Sequence, residues 1–358
     1  MSKPLKKAYS NIDVESTAKF ILSIQKDSGE IPWSESGKTD PWDHVESAMG
    51  LTVGGYWENA KKAYLWSLQT QLPDGSWWSC YEQGKPQKKA YKDSNMTAYI
   101  AVGVFHYYMV TGDYSFLRIM WPTVCNALDY VVGLQQEEGQ ISWAQRGKRI
   151  YKKSLLTGSS SIHISLLCGL RIASLLGKQK PHWEMAKVKL ANAIKFKPYL
   201  FDQSKSRFSM DWYYPILCGI LRGKEAQKRI EESWDRFAIP GWGIRCVSDK
   251  PWLTMAESAE LTMALAAMGD LYTANQVLSW IQNKRDSHNG AIWTGITYPD
   301  RIIYPEERTS WTAAAVLLAV DMLYKLTPAS QLFSHNFLEY KKTTTLQVKP
   351  FVEAPPKS

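Results

Sequence analysis

The chain has 358 residues, of which 45% are hydrophobic and 22% charged, and a net charge of +9. This composition excludes a disordered or fibrous protein and supplies enough apolar side chains for a large core. The basic residues occur in short groups spread along the chain, such as residues 84–89 and 146–153. That distribution predicts a solvated surface and no nucleic-acid partner, and it leaves open peripheral contact with an anionic surface.

The two ends of the chain and its cysteines bear on where the protein works. Residues 1–14 contain no apolar core and no cleavage site, so we expect a short N-terminal arm. No run of about 18 apolar residues, the length of a membrane span, occurs in the sequence. Residues 329–358 are expected to form a flexible C-terminal extension. The five cysteines include no CxxC pair and are typical of reduced thiols, which predicts a cytoplasmic protein.

A turn containing a glutamine, a glycine and a tryptophan recurs along the chain. Its four clearest copies are residues 25–33, 69–77, 135–143 and 282–293. Two segments near Trp212 and Trp242 resemble degenerate copies. Each clear copy ends an amphipathic segment, so the glutamine marks the end of a helix and the glycine supplies the turn.

A second helical segment, apolar on every side, follows each turn. These segments are residues 45–56, 94–110, 159–176, 213–223, 256–269 and 309–323. A helix that is apolar all round is buried. Amphipathic and apolar helices that alternate six times predict an all-α fold: an (α/α)6 toroid of about twelve helices, with an inner and an outer ring, in a single domain of residues 15–328.

The repeated turns resemble the QW-type repeats of the squalene cyclase and prenyltransferase superfamily. Similar turns occur in the six-hairpin glycosidases, whose barrel is alike. The resemblance covers roughly residues 15–325 and implies the toroid fold. It leaves the chemistry open, because such turns brace the scaffold and carry no reacting group.

The N-terminal ends of the inner helices of such a toroid open into one cup, where polar and aromatic residues should converge. In chain order the predicted substrate-binding residues are Trp42, Asp43, His44, Asp93, Asn95, His163, Asp211, Trp212, Tyr213, Arg245, Trp252, Arg308 and Trp311. The tryptophans are expected to stack on the substrate. Any one of the acidic residues also suits a helix cap.

Four glutamates are the candidate catalytic residues. Glu257 and Glu260 lie three positions apart on an otherwise apolar helix, where a buried carboxylate needs a partner or a purpose. Glu306 and Glu307 precede the last apolar helix in a stretch that resembles a segment of glucoamylase-like enzymes. We predict that the first pair supplies a general acid and the second pair a base.

Asp43 and Asp93 are alternative catalytic carboxylates. Neither a cofactor nor a metal site is expected, because His44 and Glu46 are two positions apart and point away from each other on a helix.

A cup lined by acids and aromatic rings fits a carbohydrate-active enzyme, most simply a glycoside hydrolase acting on a small glycoside, an oligosaccharide or a glycolipid. An isoprenoid cyclase or a prenyltransferase-like enzyme is the alternative, since aromatic rings can also shield a cation. The DxDD motif that resemblance to squalene-type cyclases would require is absent. A third hypothesis is a non-catalytic binding toroid, in which the glutamates pair with Arg245 and Arg308.

Overall fold

The computed structural model describes residues 11–286 and 290–339. The first ten residues of the expected N-terminal arm and residues 340–358 of the expected extension lie outside the described residues. No helix in the described part of the chain is long and apolar enough to cross a membrane.

Six helical hairpins form two concentric rings, which confirms the predicted all-α toroid. The outer helices are α1 (Val14–Ile24), α3 (Trp57–Thr70), α6 (Tyr114–Val132), α8 (Pro181–Phe196), α10 (Gly223–Phe237) and α12 (Leu271–Ile281). The inner helices are α2 (Pro41–Val53), α4 (Ser94–Ala98) with α5 (Ile100–Thr111), α7 (Leu156–Leu175), α9 (Ser209–Leu217), α11 (Met255–Met268) and α13 (Ser310–Tyr324). Each inner helix packs on the next, and α13 packs on α2 to close the ring.

The inner helices are apolar all round because each of them touches two inner neighbours and the outer ring. In α5 every residue from Ile100 to Val110 is buried. Small residues let the helices approach closely. A Cβ atom at Gly50 of α2 would lie 3.0 Å from both Cα and Cβ of Ala314 on α13. The first and last hairpins therefore meet at a contact that requires a glycine.

The predicted glutamine turns brace the outer ring through a shared hydrogen-bond pattern. Gln25 Nε2 donates to the Gly29 carbonyl at 3.1 Å and to the carbonyl of Asn59 on α3 at 2.9 Å. Gln71 and Gln135 make the corresponding pairs of bonds to their own turns and to the next outer helix. In the second copy Gln71, rather than Gln69, has this role. In these three copies the glycine always follows the glutamine by four positions, whereas the distance from the glutamine to the tryptophan varies.

Three small antiparallel sheets surround the mouth of the toroid, where the outer helices connect to the inner ones. Their strands are β1 (Lys38–Thr39), β2 (Tyr81–Glu82), β3 (Lys85–Pro86), β4 (Lys92–Asp93), β5 (Ala144–Arg146), β6 (Arg149–Tyr151), β7 (Ala238–Ile239), β8 (Gly243–Arg245), β9 (Trp252–Thr254) and β10 (Gly295–Thr297). The strand orders are β1-β2-β3, β4-β5-β6 and β10-β9-β8-β7. These sheets hold the long connections that form the rim.

The end of the chain packs against the toroid as far as residue 339, contrary to the expectation of a flexible extension from residue 329. A 3-10 turn (Pro328–Gln331) and helix α14 (His335–Glu339) follow α13. Leu332 and Phe333 are buried, and His335 Nε2 lies 2.8 Å from the Ile216 carbonyl of α9. Burial of these apolar side chains orders the segment.

Candidate active site

A cavity of about 300 Å³ opens at the N-terminal ends of the inner helices. Its walls contain three aspartates, three tryptophans, a group of aliphatic side chains and a few hydroxyl and amide groups. These residues are Asp40, Trp42, Asp43, Asp93, Ser94, Asn95, Met96, Ile141, Trp143, Leu155, Thr157, Gly158, Ser159, Ile162, Met210 and Trp311.

The floor of the cavity follows from the symmetry of the toroid. Five inner helices each contribute the residue at their second position: Trp42, Asn95, Thr157, Met210 and Trp311. Equivalent helices arranged around one axis present the same position of the first turn to that axis. The second position of α11 is Ala256, which does not line the cavity.

Asp40 and Asp43 form an interacting carboxyl pair at the start of α2. Asp40 is the N-cap of the helix, and its Oδ1 accepts a hydrogen bond from the Asp43 backbone N–H at 2.9 Å. Burial raises the pKa of Asp43 well above its usual range, and the charge of Asp40 and a hydrogen bond between the two carboxyl groups raise it further. The shift is larger for Asp43 than for Asp40, so Asp43 is the member of the pair that keeps its proton to the higher pH, and it faces the cavity.

Asp93 is the third acid of the cavity wall. As the N-cap of α4, it accepts hydrogen bonds from the backbone N–H groups of Asn95 and Met96. Burial raises the pKa of Asp93 to about 6, although these two hydrogen bonds oppose the shift. Among the residues that the structure describes, the buried Oδ1 of the neighbouring Asn95 has no hydrogen-bond partner. The side chains of Asp93 and Asn95 can both bind hydroxyl groups of a ligand.

Three tryptophan rings provide flat surfaces in the cavity. Trp42 stacks on Tyr99 with ring centroids 5.0 Å apart, and its Nε1 donates to Glu46 Oε2 at 2.8 Å. Trp143 packs edge-on against Tyr91. Trp311 Nε1 is buried and finds no hydrogen-bond acceptor within the described residues. Rings fixed in this way are suited to stacking on the apolar faces of sugars.

Glu257 lies in the first turn of α11, at the third position of its helix, as Asp43 does in α2. Glu257 is only 4% exposed and is not one of the residues that line the cavity, and in the described part of the chain its Oε2 has no hydrogen-bond partner. The nearby Cys246 thiol hydrogen-bonds to this side chain. A buried carboxylate oxygen without a partner is costly unless a ligand uses it.

Glu46 and Glu260 form a second acidic pair below the cavity floor, and each residue is only 2% exposed. Glu260 accepts hydrogen bonds from the hydroxyls of Tyr213 at 2.5 Å and Tyr214 at 2.7 Å. Burial raises the pKa of Glu260 well above its usual range, and the charge of Glu46 adds to the shift. Both groups line a small closed cavity of about 10 Å³.

Comparison of the whole sequence with known proteins decides the chemistry of this site. No protein-family model matches the chain. It is 46% identical over 317 residues to MMP endo-(1,4)-3-O-methyl-alpha-D-mannosidase of Mycolicibacterium hassiacum, and the match covers 88% of each chain. The chain belongs to this family of glycoside hydrolases.

Solved structures of low sequence identity share the fold of this glycoside hydrolase. The GH63 mannosylglycerate hydrolase from Thermus thermophilus, in complex with glucose, matches with a TM-score of 0.68 and 12% identity over 85% of this chain and 99% of its own. A wild-type glycosidase matches with the same TM-score and identity over 91% and 100%. The six-hairpin glycosidase resemblance and the hydrolase prediction are confirmed. The cyclase and prenyltransferase part of the resemblance gains no support from these proteins.

The structure places Glu306 and Glu307 of the glycoside hydrolase outside the cavity, contrary to prediction. Both lie in the connection before α13, whose N-cap is Thr309. Glu306 is exposed, and Glu307 contributes its backbone carbonyl to Thr294. These glutamates are therefore neither first-turn charges nor cavity acids.

The predicted arginines also have other partners. Arg308 pairs with Asp286 and stacks on Trp293 with its guanidinium carbon 5.2 Å from the ring centroid. Arg245 donates to the backbone carbonyl of Arg236. Neither arginine appears in the cavity wall, where both were predicted to bind substrate. The ion pairs and hydrogen bonds described for these two arginines do not involve the four predicted glutamates, as a non-catalytic toroid would require.

Both predicted histidines are structural. His44 accepts a hydrogen bond from the Ile31 N–H at Nδ1 and contacts the Ala63 carbonyl through Nε2. Burial lowers the pKa of His44 to about 4, so the ring is neutral and joins α2 to its surroundings. His163 of α7 lies away from the cavity wall, and burial lowers its pKa to about 3.

Four further predicted residues stabilise the scaffold rather than line the cavity. Asp211 accepts hydrogen bonds from both the N–H and the hydroxyl of Thr157. Trp212 stacks on Phe237 of the outer ring. Trp252 Nε1 donates to a rim carbonyl at residue 304. The Tyr213 hydroxyl donates a hydrogen bond to Glu260. Asp211, Trp212 and Tyr213 lie in the first turns of α9, and Trp252 lies on strand β9 just before α11, but all four face neighbouring elements.

Sequence reasoning missed three residues of the site. Asp40 precedes Asp43 by three positions, a spacing that brings two carboxyl groups together at a helix start. Glu46 lies four positions after Trp42, within reach of its indole N–H. Trp143 ends the third glutamine turn and was interpreted as part of the scaffold. In the described part of the chain, no group of three or more His, Cys, Asp or Glu side chains is arranged to hold a metal ion.

Proposed function

We propose that this glycoside hydrolase is an endo-acting mannosidase that cleaves α-(1,4)-linked mannosides carrying 3-O-methyl groups. The 46% identical relative is named for that activity, and the match extends over most of both chains. The observation on this chain that carries the proposal is the cavity wall, which combines acids and aromatic rings with aliphatic side chains.

The aliphatic side chains favour methylated sugars over unmodified ones. Met96, Ile141, Leu155, Ile162 and Met210 face the cavity. A sugar hydroxyl placed against such a surface loses hydrogen bonds to water without replacement. A methyl ether has no hydrogen to donate, and burial of one methyl group contributes about 0.8 kcal/mol.

We propose Asp43 as the general acid that protonates the leaving glycosidic oxygen. Burial and the neighbouring Asp40 raise the pKa of Asp43 well above its usual range, which favours its protonated form, and Asp43 lines the cavity. The hydrogen bond between the two carboxyl groups lets Asp40 orient the Asp43 proton, and the charge of Asp40 favours the protonated form of Asp43. A general acid of this kind contributes about 10²–10⁴-fold to the rate.

Glu257 is the proposed second carboxylate, which activates water or attacks the anomeric carbon. It occupies the helix position equivalent to Asp43, two inner helices away in the ring, with Trp311 on the helix between them. Its free Oε2 is available for this role. Glu260, the other candidate on α11, has both oxygens engaged by tyrosine hydroxyls and is assigned to the scaffold.

The test is hydrolysis of a 3-O-methylated α-(1,4)-mannooligosaccharide by wild type, Asp43→Asn and Glu257→Gln. We expect internal cleavage by wild type and a loss of about 10²-fold or more in kcat for each variant, because an acid–base pair acts as a unit. Glu306→Gln is the control and should retain full activity. Retained activity in Asp43→Asn or in Glu257→Gln would refute the residue assignment, and equal cleavage of the unmethylated oligosaccharide would refute the methyl preference.

The basic residues at the rim of the cavity favour a negatively charged group on the natural substrate, or a negatively charged surface beside the cavity. The groups at residues 84–89 and 146–153 lie on and around β3, β5 and β6 at the mouth of the cavity. Charges at a mouth raise association rates for anions, and salt screens this effect. A glycolipid substrate is compatible with this proposal.

We also propose a cytoplasmic location, supported by five free cysteines.

A further inference from the structure

Cys125 and Lys180 lie in unusually close contact on the outer ring, away from the cavity. Cys125 is on α6, and Lys180 immediately precedes α8. Lys180 Nζ is 2.7 Å from Cys125 Sγ. Hydrogen bonds from nitrogen to the smaller oxygen atom span about 2.7–3.2 Å. A hydrogen bond to sulfur should be longer, so the two atoms are closer than an ammonium–thiol hydrogen bond requires.

The surroundings hold the lysine nitrogen against the sulfur. Lys180 Nζ lies over the rings of Trp121 and Trp183, at 5.8 and 4.6 Å from their centroids. Asp129 accepts from Lys180 at 3.1 Å and from the Cys125 thiol at 3.5 Å. The flexible lysine has therefore already lost most of its freedom, which lowers the entropic cost of a bond between the two side chains.

We propose that Cys125 and Lys180 form a covalent nitrogen–oxygen–sulfur bridge when the protein is oxidised by dioxygen. In such a bridge one oxygen atom is bonded to both Nζ and Sγ. Two single bonds of roughly 1.5–1.7 Å that meet at a bent atom span about 2.7 Å. The observed separation fits this arrangement.

The reaction balances with dioxygen as the oxidant. The ammonium group first releases a proton. One N–H bond, the S–H bond and the O–O bond then break, and N–O, O–S and two O–H bonds form. Nitrogen and sulfur each lose two electrons. One oxygen atom becomes the bridge and the other leaves as water. Reduction by two equivalents of a dithiol supplies four electrons and restores lysine, cysteine and water, so the modification is reversible.

The bridge would tie two neighbouring outer helices together across 55 positions of sequence. The enclosed segment contains Ile141, Trp143 and the start of α7, which form one wall of the cavity. A cross-link restricts the unfolded chain and stabilises the folded one. Oxidation should therefore stiffen the hairpin that carries this wall, while the reduced enzyme keeps its full activity.

Cys80 provides a matched control. It is half-buried like Cys125, and its Sγ is 3.8 Å from the Tyr81 carbonyl. Oxidation at Cys80 would follow the ordinary sequence of sulfur oxyacids without joining a lysine.

The experiment is peptide mass spectrometry of the full chain after incubation in air-saturated buffer, with and without dithiothreitol. We expect a linked pair of peptides containing residues 125 and 180 that has gained one oxygen and lost two hydrogens. It should disappear with dithiothreitol, in Cys125→Ser and in Lys180→Arg, and persist in Cys80→Ser. Oxidised wild type should melt at a higher temperature than reduced wild type, with no such difference in Lys180→Arg.

Two results would overturn the proposal. One is the absence of a linked pair from air-exposed wild type. The other is oxygen found only as a sulfur oxyacid on Cys125, with Lys180 unmodified. Both readouts are independent of mannosidase activity, so failure here leaves the proposed function intact.

Discussion

Three aspartates line the cavity, and burial raises the pKa of each of them. Their local sequences are also those of helix caps, and two of them, Asp40 and Asp93, are indeed caps. The cap position itself brings each carboxyl group to the cavity, because the helices start there. At the scale of single residues, capping and chemistry are therefore compatible roles.

Replacement of Asp40 tests how the pair sets the acidity of Asp43. Burial is the largest cause of the raised pKa of Asp43, and the Asp40 charge and hydrogen bond come next. Asp40→Asn removes the charge, so the pKa of Asp43 falls and Asp43 loses its proton at a lower pH. We expect the alkaline limb of the kcat/KM profile to move to lower pH. The same substitution at the exposed Asp249 should leave the profile unchanged, and an unmoved limb in Asp40→Asn would argue against Asp43 as the acid.

Glu46 makes stability depend on pH. Burial raises its pKa from 4.5 to about 7, against the hydrogen bonds from Trp42 and Tyr99. The folded state thus holds this proton more tightly than the unfolded state. Its contribution is fully present below pH 4.5 and is lost as pH rises to about 7, an effect of the order of 3 kcal/mol.

Glu46→Gln should reduce this loss of stability in urea unfolding measured between pH 4.5 and 8, and the other buried carboxyl groups account for the part that remains. The matched control is Glu231→Gln on the exposed face of α10, which should keep the slope of wild type. A slope in Glu46→Gln equal to that of wild type would show that Glu46 does not contribute.

At the scale of elements, each clear glutamine turn joins two outer helices. The glycine has positive φ in all four of them, 94° at Gly29, 91° at Gly75, 104° at Gly139 and 73° at Gly290. Close packing adds to this requirement, since a Cβ at Gly75 would lie 2.2 Å from the Asn126 carbonyl oxygen on α6. The sequence pattern identified the turn, but the contact with the next hairpin explains why glycine is needed.

Gly75→Ala separates these two requirements when it is compared with Gly84→Ala. Gly84 also has positive φ, 73°, but no atom lies within 4 Å of its Cβ position. We expect a cost of about 1 kcal/mol for Gly84→Ala from backbone strain alone. Gly75→Ala should cost about 1–3 kcal/mol more, because the neighbouring backbone must move. Urea unfolding measures both, and equal costs would exclude the packing contribution.

At the scale of the whole molecule, closure of the ring decides where the site lies. The contact of α2 with α13 brings Asp43 beside Trp311, although they are far apart in sequence. The opposite end is covered by α14 and the 3-10 turn before it. We propose that the toroid unfolds as one domain, because neither half has a complete inner ring.

Gly50→Val tests this dependence on closure. A Cβ at this position already meets Ala314 and Ile21 at 3.0 Å, so the two additional methyl groups should cost about 1–3 kcal/mol or more. We expect a single melting transition at a lower temperature. Ser279→Val, on the exposed face of α12, controls for the lower helix propensity of valine. Two separate transitions in Gly50→Val would contradict a single cooperative domain.

The predicted site residues divide into those that line the cavity and those that face other elements. The sequence located the end of each inner helix, and Trp42, Asp43, Asp93, Asn95 and Trp311 of the predicted set lie in the cavity wall. Within a helix turn, however, neighbouring side chains point in different directions. A residue one position away from a cavity residue can therefore face the outer ring instead. Asp211 and Trp212 directly follow Met210, and only Met210 faces the cavity.

Local periodicity and turn residues suffice to predict the toroid and its six hairpins, because both are properties of short segments. Which carboxyl groups lie close together depends instead on how the helices pack. The interaction between Asp40 and Asp43 depends on desolvation, and the hydrogen bonds of Glu257 depend on the partners that surrounding helices supply. Glu306 and Glu307 had the composition of a catalytic pair, but the folded chain places them in a connection outside the cavity.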